Sequence, residues 1–440
     1  MVVNKYSSDL TKLHLAQEII RNYFNCNNFL WKAGTPNTIM IVNRKALKSN
    51  LSSALSDRRF HYGFLFIVFA LVNGILFSRL GIKMVNDSPR YLEYAQNLLS
   101  GFYVDQHNFW YLGYVVYIAF VKTLQGDIAA IIVGQYVLSF LAVIALYQTA
   151  LLLWNNQQMA FLAALFFLVF FEISSWNAYV LAESVYISTT CFALYSLTNF
   201  YRTRTLISGL IAVLVAGFTM TVKPTGIALI GATLSVVLLS VIASTGSLQL
   251  RYATVGAAII LFLIFVNRAL NTFGVMDAYL SGEVIYDITT TNYPDVGFMR
   301  IVPPENIYSP PEHYPQLIKI SFFVVANPIY SAKLFFTKVF YLLAHVRPYW
   351  STMHNLFSLV ILLPLYCFFG RALTMPTVNK DVRTFAGIYL ALHVLSIGLT
   401  TEDWDGRFLM PVLPVVFLLA AAGAMSRKNN ASQQAEYIDE

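Results

Sequence analysis

Four charged residues stand at the edges of apolar runs and are of types that do chemistry: Asp87, Glu183, Lys223 and Arg407. A positioned carboxylate takes a proton from a hydroxyl. Lysine holds a phosphate as a point charge and arginine as a fork. Arg347, in HVRPYW, is a third candidate cation. Each residue also has a plainer reading: Asp87 and Glu183 would complement a helix dipole, and Lys223 and Arg407 would snorkel to an interface. His107, His313, His345 and His354 show no metal-ligand spacing, so they read as interfacial side chains, and Glu172 reads as structural. No metal site is expected from these spacings, and no cofactor is specified; a divalent ion stays open.

The chain that positions these residues is mostly apolar. Of its 440 residues 57% are hydrophobic and 12% charged, far from the roughly 25% charged of a soluble domain. Runs at about 62–82, 128–153, 158–173, 184–201, 206–222, 226–245, 252–272, 354–371, 383–400 and 408–426 read as membrane helices. Residues 1–61 hold nine Lys or Arg against three Asp or Glu. Such a flank belongs in the cytoplasm and against anionic lipid, which leaves little of the net charge of +7 for nucleic acid. The spacing of Leu10, Leu13, Ala16, Ile20 and Tyr23 predicts an amphipathic surface helix there. No cleavable signal peptide is read, and the cysteines at 26, 191 and 367 suggest neither disulfide nor metal site.

Loop charge decides the topology. If 110–124 crossed the membrane, Arg202, Arg204, Arg251 and the Arg371/Lys380/Arg383 group would all lie outside, against the positive-inside rule. If it dips in or lies flat, those residues and Arg427 and Lys428 become cytoplasmic. The second arrangement is preferred: ten spans with both termini inside. It divides the chain into a basic cytoplasmic segment, 1–61, a transmembrane catalytic domain, 62–426, and a cytoplasmic tail, 427–440. External loops fall at about 83–127, 174–183, 273–353 and 401–407. The stretch 281–315, with turns at YPDVG and IVPPEN, reads as an ordered external loop. The aromatic segment 318–345, broken by Lys319, Lys333 and Lys338, reads as one interfacial helix. After span one, Ser88 is expected to cap a helix running to Leu99, with Tyr91, Ala95 and Leu98 on its buried face and Gly101 ending it.

Several of these segments carry a resemblance: Asn86-Asp87 followed by Tyr91, Ala95, Leu98 and Gly101; WYLGYVVY at 110–117; Glu183 in LAESVYI; KPTG at 223–226; and GRFLMPVLPVVFLLAAAG at 406–423. In this order the chain resembles the type C glycosyltransferases, membrane enzymes that use polyprenyl-phosphate sugars. It is most similar to the branch of the protein O-mannosyltransferases and the lipid A aminoarabinose transferase. The resemblance implies an all-α polytopic fold with juxtamembrane helices in the first and a later external loop. It implies a polyprenyl-phosphate sugar donor and a glycan, glycolipid or protein acceptor, with membrane lipids around it. Asp87 would be the base and Glu183 would orient hydroxyls. Lys223, Arg407 and Arg347 would bind phosphate, and His107 would replace a lysine that relatives carry before the aromatic segment. A bacterial inner membrane is the expected location. The rival reading, a secondary transporter or lipid-linked-sugar flippase, would call for mid-membrane charges and an inverted repeat; the charges here cluster at one face.

Overall fold

The computed structural model describes residues 57–101, 104–105, 107–244, 247–286 and 299–436. The amphipathic segment marked by Leu10 to Tyr23, nearly all of the basic segment, Cys26 and the YPDVG turn lie outside them. Among the described residues the fold is helical. Strand-like pairing is limited to three isolated bridges, Lys83–Tyr179, Glu283–Arg300 and Ile285–Glu402.

The helices, in chain order, are α1 (Arg58–Leu80), α2 (Ser88–Ser100), α3 (Leu112–Thr123), α4 (Ile128–Trp154), α5 (Gln157–Val169), α6 (Glu172–Ser175), α7 (Ala182–Thr203) and α8 (Leu206–Val222). There follow α9 (Ile227–Ser244), α10 (Leu248–Thr272), α11 (Val275–Ser281), α12 (Gln316–Ala326), α13 (Pro328–Ala344), α14 (Thr352–Thr374), α15 (Lys380–Leu399) and α16 (Leu413–Glu436). Every apolar run read as a span contains a helix. Five helices are long and apolar enough to cross a membrane alone, and up to seven crossings result if each bent pair counts as one. The expected ten is therefore not reached on length and composition, because α8, α9 and α16 contribute shorter apolar stretches. Helix α3 has 12 residues, or about 18 Å against a hydrocarbon core of ~30 Å. It is too short to cross, in keeping with the non-spanning reading of 110–124.

Two expectations need correction. The segment 318–345 is two helices, α12 and α13, meeting at 112°. Pro328 has no N–H to continue α12, and the residue before a proline is held off helical angles; Asn327 sits at φ −124°, ψ 58°. Ser88 does not cap α2. It is the first helical residue, and its hydroxyl accepts the Val85 N–H at 2.9 Å. The face of α2 is otherwise as read: Tyr91 and Ala95 are buried, Leu98 packs on the core, and Gly101 closes the helix onto the Asn97 carbonyl.

The loops sort into two ends. At one, Arg202 donates to the Leu152 and Leu153 carbonyls, and Tyr201 reaches Asp381 and Asn379. At the other, Lys83 pairs with 178–180, Glu183 meets Lys223 and Arg407, and 284–286 pairs with Glu402. Arg202 and Asp381 lie at the first end, and Glu183, Lys223 and Arg407 at the second.

The centre is α7, thirteen of whose 22 residues are buried, together with the first turns of α16. Small polar side chains let α7 pack closely, a device common where lipid supplies no hydrophobic contrast. Thr190 and Ser196 return their hydroxyls to carbonyls one turn back. Where α7 begins, a closed polar network fixes the chain. Asn177 donates to Asn73 (3.0 Å) and Ser139 (3.1 Å) and accepts from Ser184 (2.6 Å). Gln135 donates to the Asn177 and Tyr179 carbonyls, at 3.0 and 2.8 Å, while Tyr114 donates to its Oε1 at 3.0 Å. Gln135→Leu would leave the Asn177 carbonyl and the Tyr114 phenol without these bonds, each costing about 1–3 kcal/mol; the Tyr179 carbonyl keeps the Leu181 N–H. Thermal unfolding in detergent should therefore drop by several degrees, whereas an exposed lipid-facing change such as Val133→Leu should leave the midpoint in place.

Candidate active site

Asp87 immediately precedes α2, but its carboxylate makes no capping bond. It turns instead to two arginines: Oδ1 accepts from Arg90 at 3.0 Å, and Oδ2 lies 3.5 Å from Arg407. The dipole-only reading of Asp87 thus does not describe where its charge goes. Arg90 was not singled out from sequence. Its spacing of three from Asp87 on a helix start puts the two on one face, which is the signal that would have found it. Arg90 also donates to Asn108 at 3.0 Å and lies over the rings of Tyr91 and Tyr111, at 4.8 and 5.1 Å. That contact ties α2 to the start of α3.

Glu183 lies in the first turn of α7 and is almost fully buried. Its Oε1 accepts from Lys223 Nζ at 2.6 Å and lies 3.3 Å from Arg407, while its Oε2 is buried without a partner. Lys223 is also buried rather than snorkelling. The helix stops at it because Pro224 follows, and its extended backbone (φ −154°, ψ 141°) turns the side chain to Glu183 and over the Phe408 ring at 4.7 Å. Gly113, in the aromatic/glycine segment, lets α3 reach this corner. A Cβ there would stand 2.8 Å from Val222 Cγ2 and 2.9 Å from Val222 N.

Arg407 joins these pieces. Its Nη1 faces Asp87 and Glu183, and its Nε lies 2.9 Å from Asp403 Oδ2. Among the described residues none of these contacts is aligned as a hydrogen bond, and Nε is buried without an acceptor in line. Charge holds the guanidinium here.

The loop carrying Arg407 is bound along its backbone. Glu402 N–H donates to the Val284 carbonyl and Tyr286 N–H to the Glu402 carbonyl, both at 3.0 Å. Lys338 reaches the Thr400 carbonyl, and Tyr349 donates to the Trp404 carbonyl at 2.7 Å. Arg347, expected as a phosphate cation, belongs to this scaffold. It is fully buried and donates to Glu402 Oε1 (2.7 Å) and to the carbonyls of Asp403 and Tyr341 (both 2.8 Å). Both of its Nη groups are taken up by these contacts, and its Nε is enclosed with them.

His107 sits exposed near the start of α3, with its ring on Tyr111 and edge-on to Phe273. Partial burial and the nearby Arg90 keep its imidazole below the ordinary range. His345 and His354 are not isolated interfacial side chains, because both approach Glu172. Nothing in the sequence pairs position 172 with 345 or 354. Among the described residues no group of three or more His, Cys, Asp or Glu is arranged to hold a metal ion.

Residues 109–268 match the family model described as dolichyl-phosphate-mannose-protein mannosyltransferase. That match supports the type C resemblance and, with it, a glycosyltransferase. No curated protein matches the chain in sequence. Among solved structures the chain is similar to ArnT from Cupriavidus metallidurans in the apo state, at 14% identity and a TM-score of 0.44. The alignment covers 82% of this chain and 59% of that one, so the chain spans less than two thirds of that protein's length.

Burial pushes the Glu402 carboxyl up from 4.5 to about 7, with Arg347 pulling the other way and Asp403 adding to the rise. A carboxyl raised on folding favours the protonated folded state, so its contribution to stability is lost as pH rises from about 4.5 through about 7. Arg347 can donate to either form. Glu402→Gln should therefore flatten the pH dependence of the unfolding midpoint in that window, as read by thermal scans in detergent across it.

Proposed function

We propose that this chain is a type C membrane glycosyltransferase that moves a sugar from a polyprenyl phosphate to an acceptor hydroxyl. The reaction site is the end of the bundle where Asp87, Glu183, Lys223 and Arg407 meet. The observation that carries the proposal is Arg407: a guanidinium among three carboxylates, with no aligned hydrogen bond, beside a second buried cation. A phosphate satisfies such a group better than a charge cluster does, because it offers acceptors along the fork.

In this reading the donor's phosphate competes with the carboxylates for Arg407, with Lys223 behind it. Drawing Arg407 toward the phosphate loosens its hold on Asp87, whose carboxylate then takes the proton as the acceptor oxygen attacks the sugar carbon. The bond to the phosphate oxygen breaks, the electron pair stays on the phosphate, and the cations stabilise the new charge. One displacement inverts the sugar carbon. Glu183 keeps Lys223 charged and in place. Its unpaired oxygen is the nearest acceptor for a sugar hydroxyl. Arg90 holds Asp87 toward the site, and His107 lies at the rim. The site faces the outside of a bacterial inner membrane, with both termini in the cytoplasm, since the opposite end carries the basic loops. The acceptor is a glycan, lipid or protein of the envelope.

Two measurements test this. Purified protein in proteoliposomes, given radiolabelled undecaprenyl-phosphate sugars and envelope lipid or glycan acceptors, should transfer label. Asp87→Asn should lose about 10²–10⁴-fold of the rate, the share of a positioned general base, while keeping its unfolding midpoint; a variant that still transfers at the parent rate removes Asp87 from the chemistry. Separately, in a background freed of Cys26, Cys191 and Cys367, a cysteine at Ser281 should react with an impermeant thiol reagent from outside, and one at Thr203 only from inside. The reverse pattern would invert the topology.

A further inference from the structure

Glu172 does not touch the cluster around Arg407, yet it is among the most firmly held carboxylates in the structure. His345 Nε2 contacts its Oε2, His354 Nε2 its Oε1, and the Ser358 hydroxyl lies 3.4 Å away. Glu172 is 7% exposed and His345 fully buried. Trp350 lies flat on His354, at 4.2 Å and 7°, and edge-on to His345. Breaking one partner from such a buried pairing strands the other, so the joint is stiff.

What it joins matters more. Glu172 opens α6, which leads through Asn177 and the Lys83–Tyr179 bridge into the first turn of α7 and Glu183. On the other side His345 and Trp350 press on Gly406, the residue before Arg407. A Cβ on Gly406 would lie 2.4 Å from His345 Cε1, 2.7 Å from its Nδ1 and 3.2 Å from Trp350 Cη2. Gly406 sits at φ +67° and His345 at φ +50°, a region that costs a residue with a side chain and persists only where packing imposes it. The Glu172 joint therefore spans the same two pieces of backbone that the Arg407–Glu183 contact spans. The two ties differ in one respect: an anion arriving at the site competes for Arg407, whereas nothing there competes for Glu172.

We propose that Glu172, gripped by His345 and His354, is a positioning residue that sets Arg407 for a phosphate ligand through the contact of His345 and Trp350 with Gly406. It keeps α7 and the 400–407 loop in register while Arg407 exchanges carboxylates for phosphate. This rests on the reading of Arg407 as the phosphate cation.

The test is binding of undecaprenyl phosphate to the full-length protein in detergent, compared for the parent, Arg407→Ala, Glu172→Gln and the double variant. Arg407→Ala should weaken binding. Glu172→Gln should weaken it by about tenfold, as coupled neighbours do, and should add nothing once Arg407 is gone, since the group it positions is absent. A purely structural role predicts additive losses. Gly406→Ala, which moves the loop without touching Glu172, should copy the effect and its non-additivity; with His354→Gln it carries the test if Glu172→Gln fails to fold. Additive losses, or unchanged binding in the Glu172 and Gly406 variants while Arg407→Ala still weakens it, overturn the positioning role alone. Undiminished binding in Arg407→Ala overturns the phosphate reading and this inference with it.

Discussion

The structure depends on one constraint: a set of charges removed from water at the end of an apolar bundle must neutralise itself. Glu183 and Lys223 are both buried, and neither would be tolerated alone. Arg407 extends the pair to Asp87 and Asp403, so that five ionised groups from four separate stretches of chain share one neighbourhood. Each stretch ends or begins a helix there. The approach of α2, α7, the α8–α9 turn and the loop before α16 is in this sense the geometry of charge balance. Apolar packing supplies the bulk of the cohesion but does not select this arrangement.

A second layer makes the first usable. Buried irregular backbone persists only where its polar groups find partners, and the 400–407 loop meets that condition with borrowed ones. Segment 284–286 pairs with Glu402, Arg347 and Tyr349 take the Asp403 and Trp404 carbonyls, and Lys338 takes that of Thr400. The region between α10 and α14 is thus a brace for the loop as well as a cover. The arginine in HVRPYW contributes by being unavailable to solvent.

Much of this was legible in the sequence, and the reasons are physical. Apolar run length marks helices in a membrane protein strongly, so every run contains one. The carboxylates and cations at the ends of runs stood out because charge there is costly. Span number was not legible: helices such as α7 reach a low mean hydropathy by burying hydroxyls that bond to their own backbone. The pairing of Glu172 with His345 and His354 was hidden because it links positions more than 170 residues apart with no periodic signature. The enclosure of Arg347 was hidden because burial is a property of the fold around it, and a lone arginine beside a proline and aromatics looks the same exposed or enclosed.

Helix α10 has a consequence of another kind. In its apolar window no residue is buried in the protein, so lipid borders most of its length. The 22 residues from Arg251 to Thr272 would extend about 33 Å, slightly more than a ~30 Å core, and such a helix settles by tilting to match its surroundings. At its end Thr272 accepts the Trp110 indole N–H at 3.0 Å, with Phe265 edge-on to the same ring and Phe273 tilted against it. Trp110 lies in the short 3-10 turn Asn108–Tyr111 before α3, a turn that begins at Asn108, the partner of Arg90. A tilt of α10 would therefore reach, through Trp110 and Asn108, the Arg90 that holds Asp87.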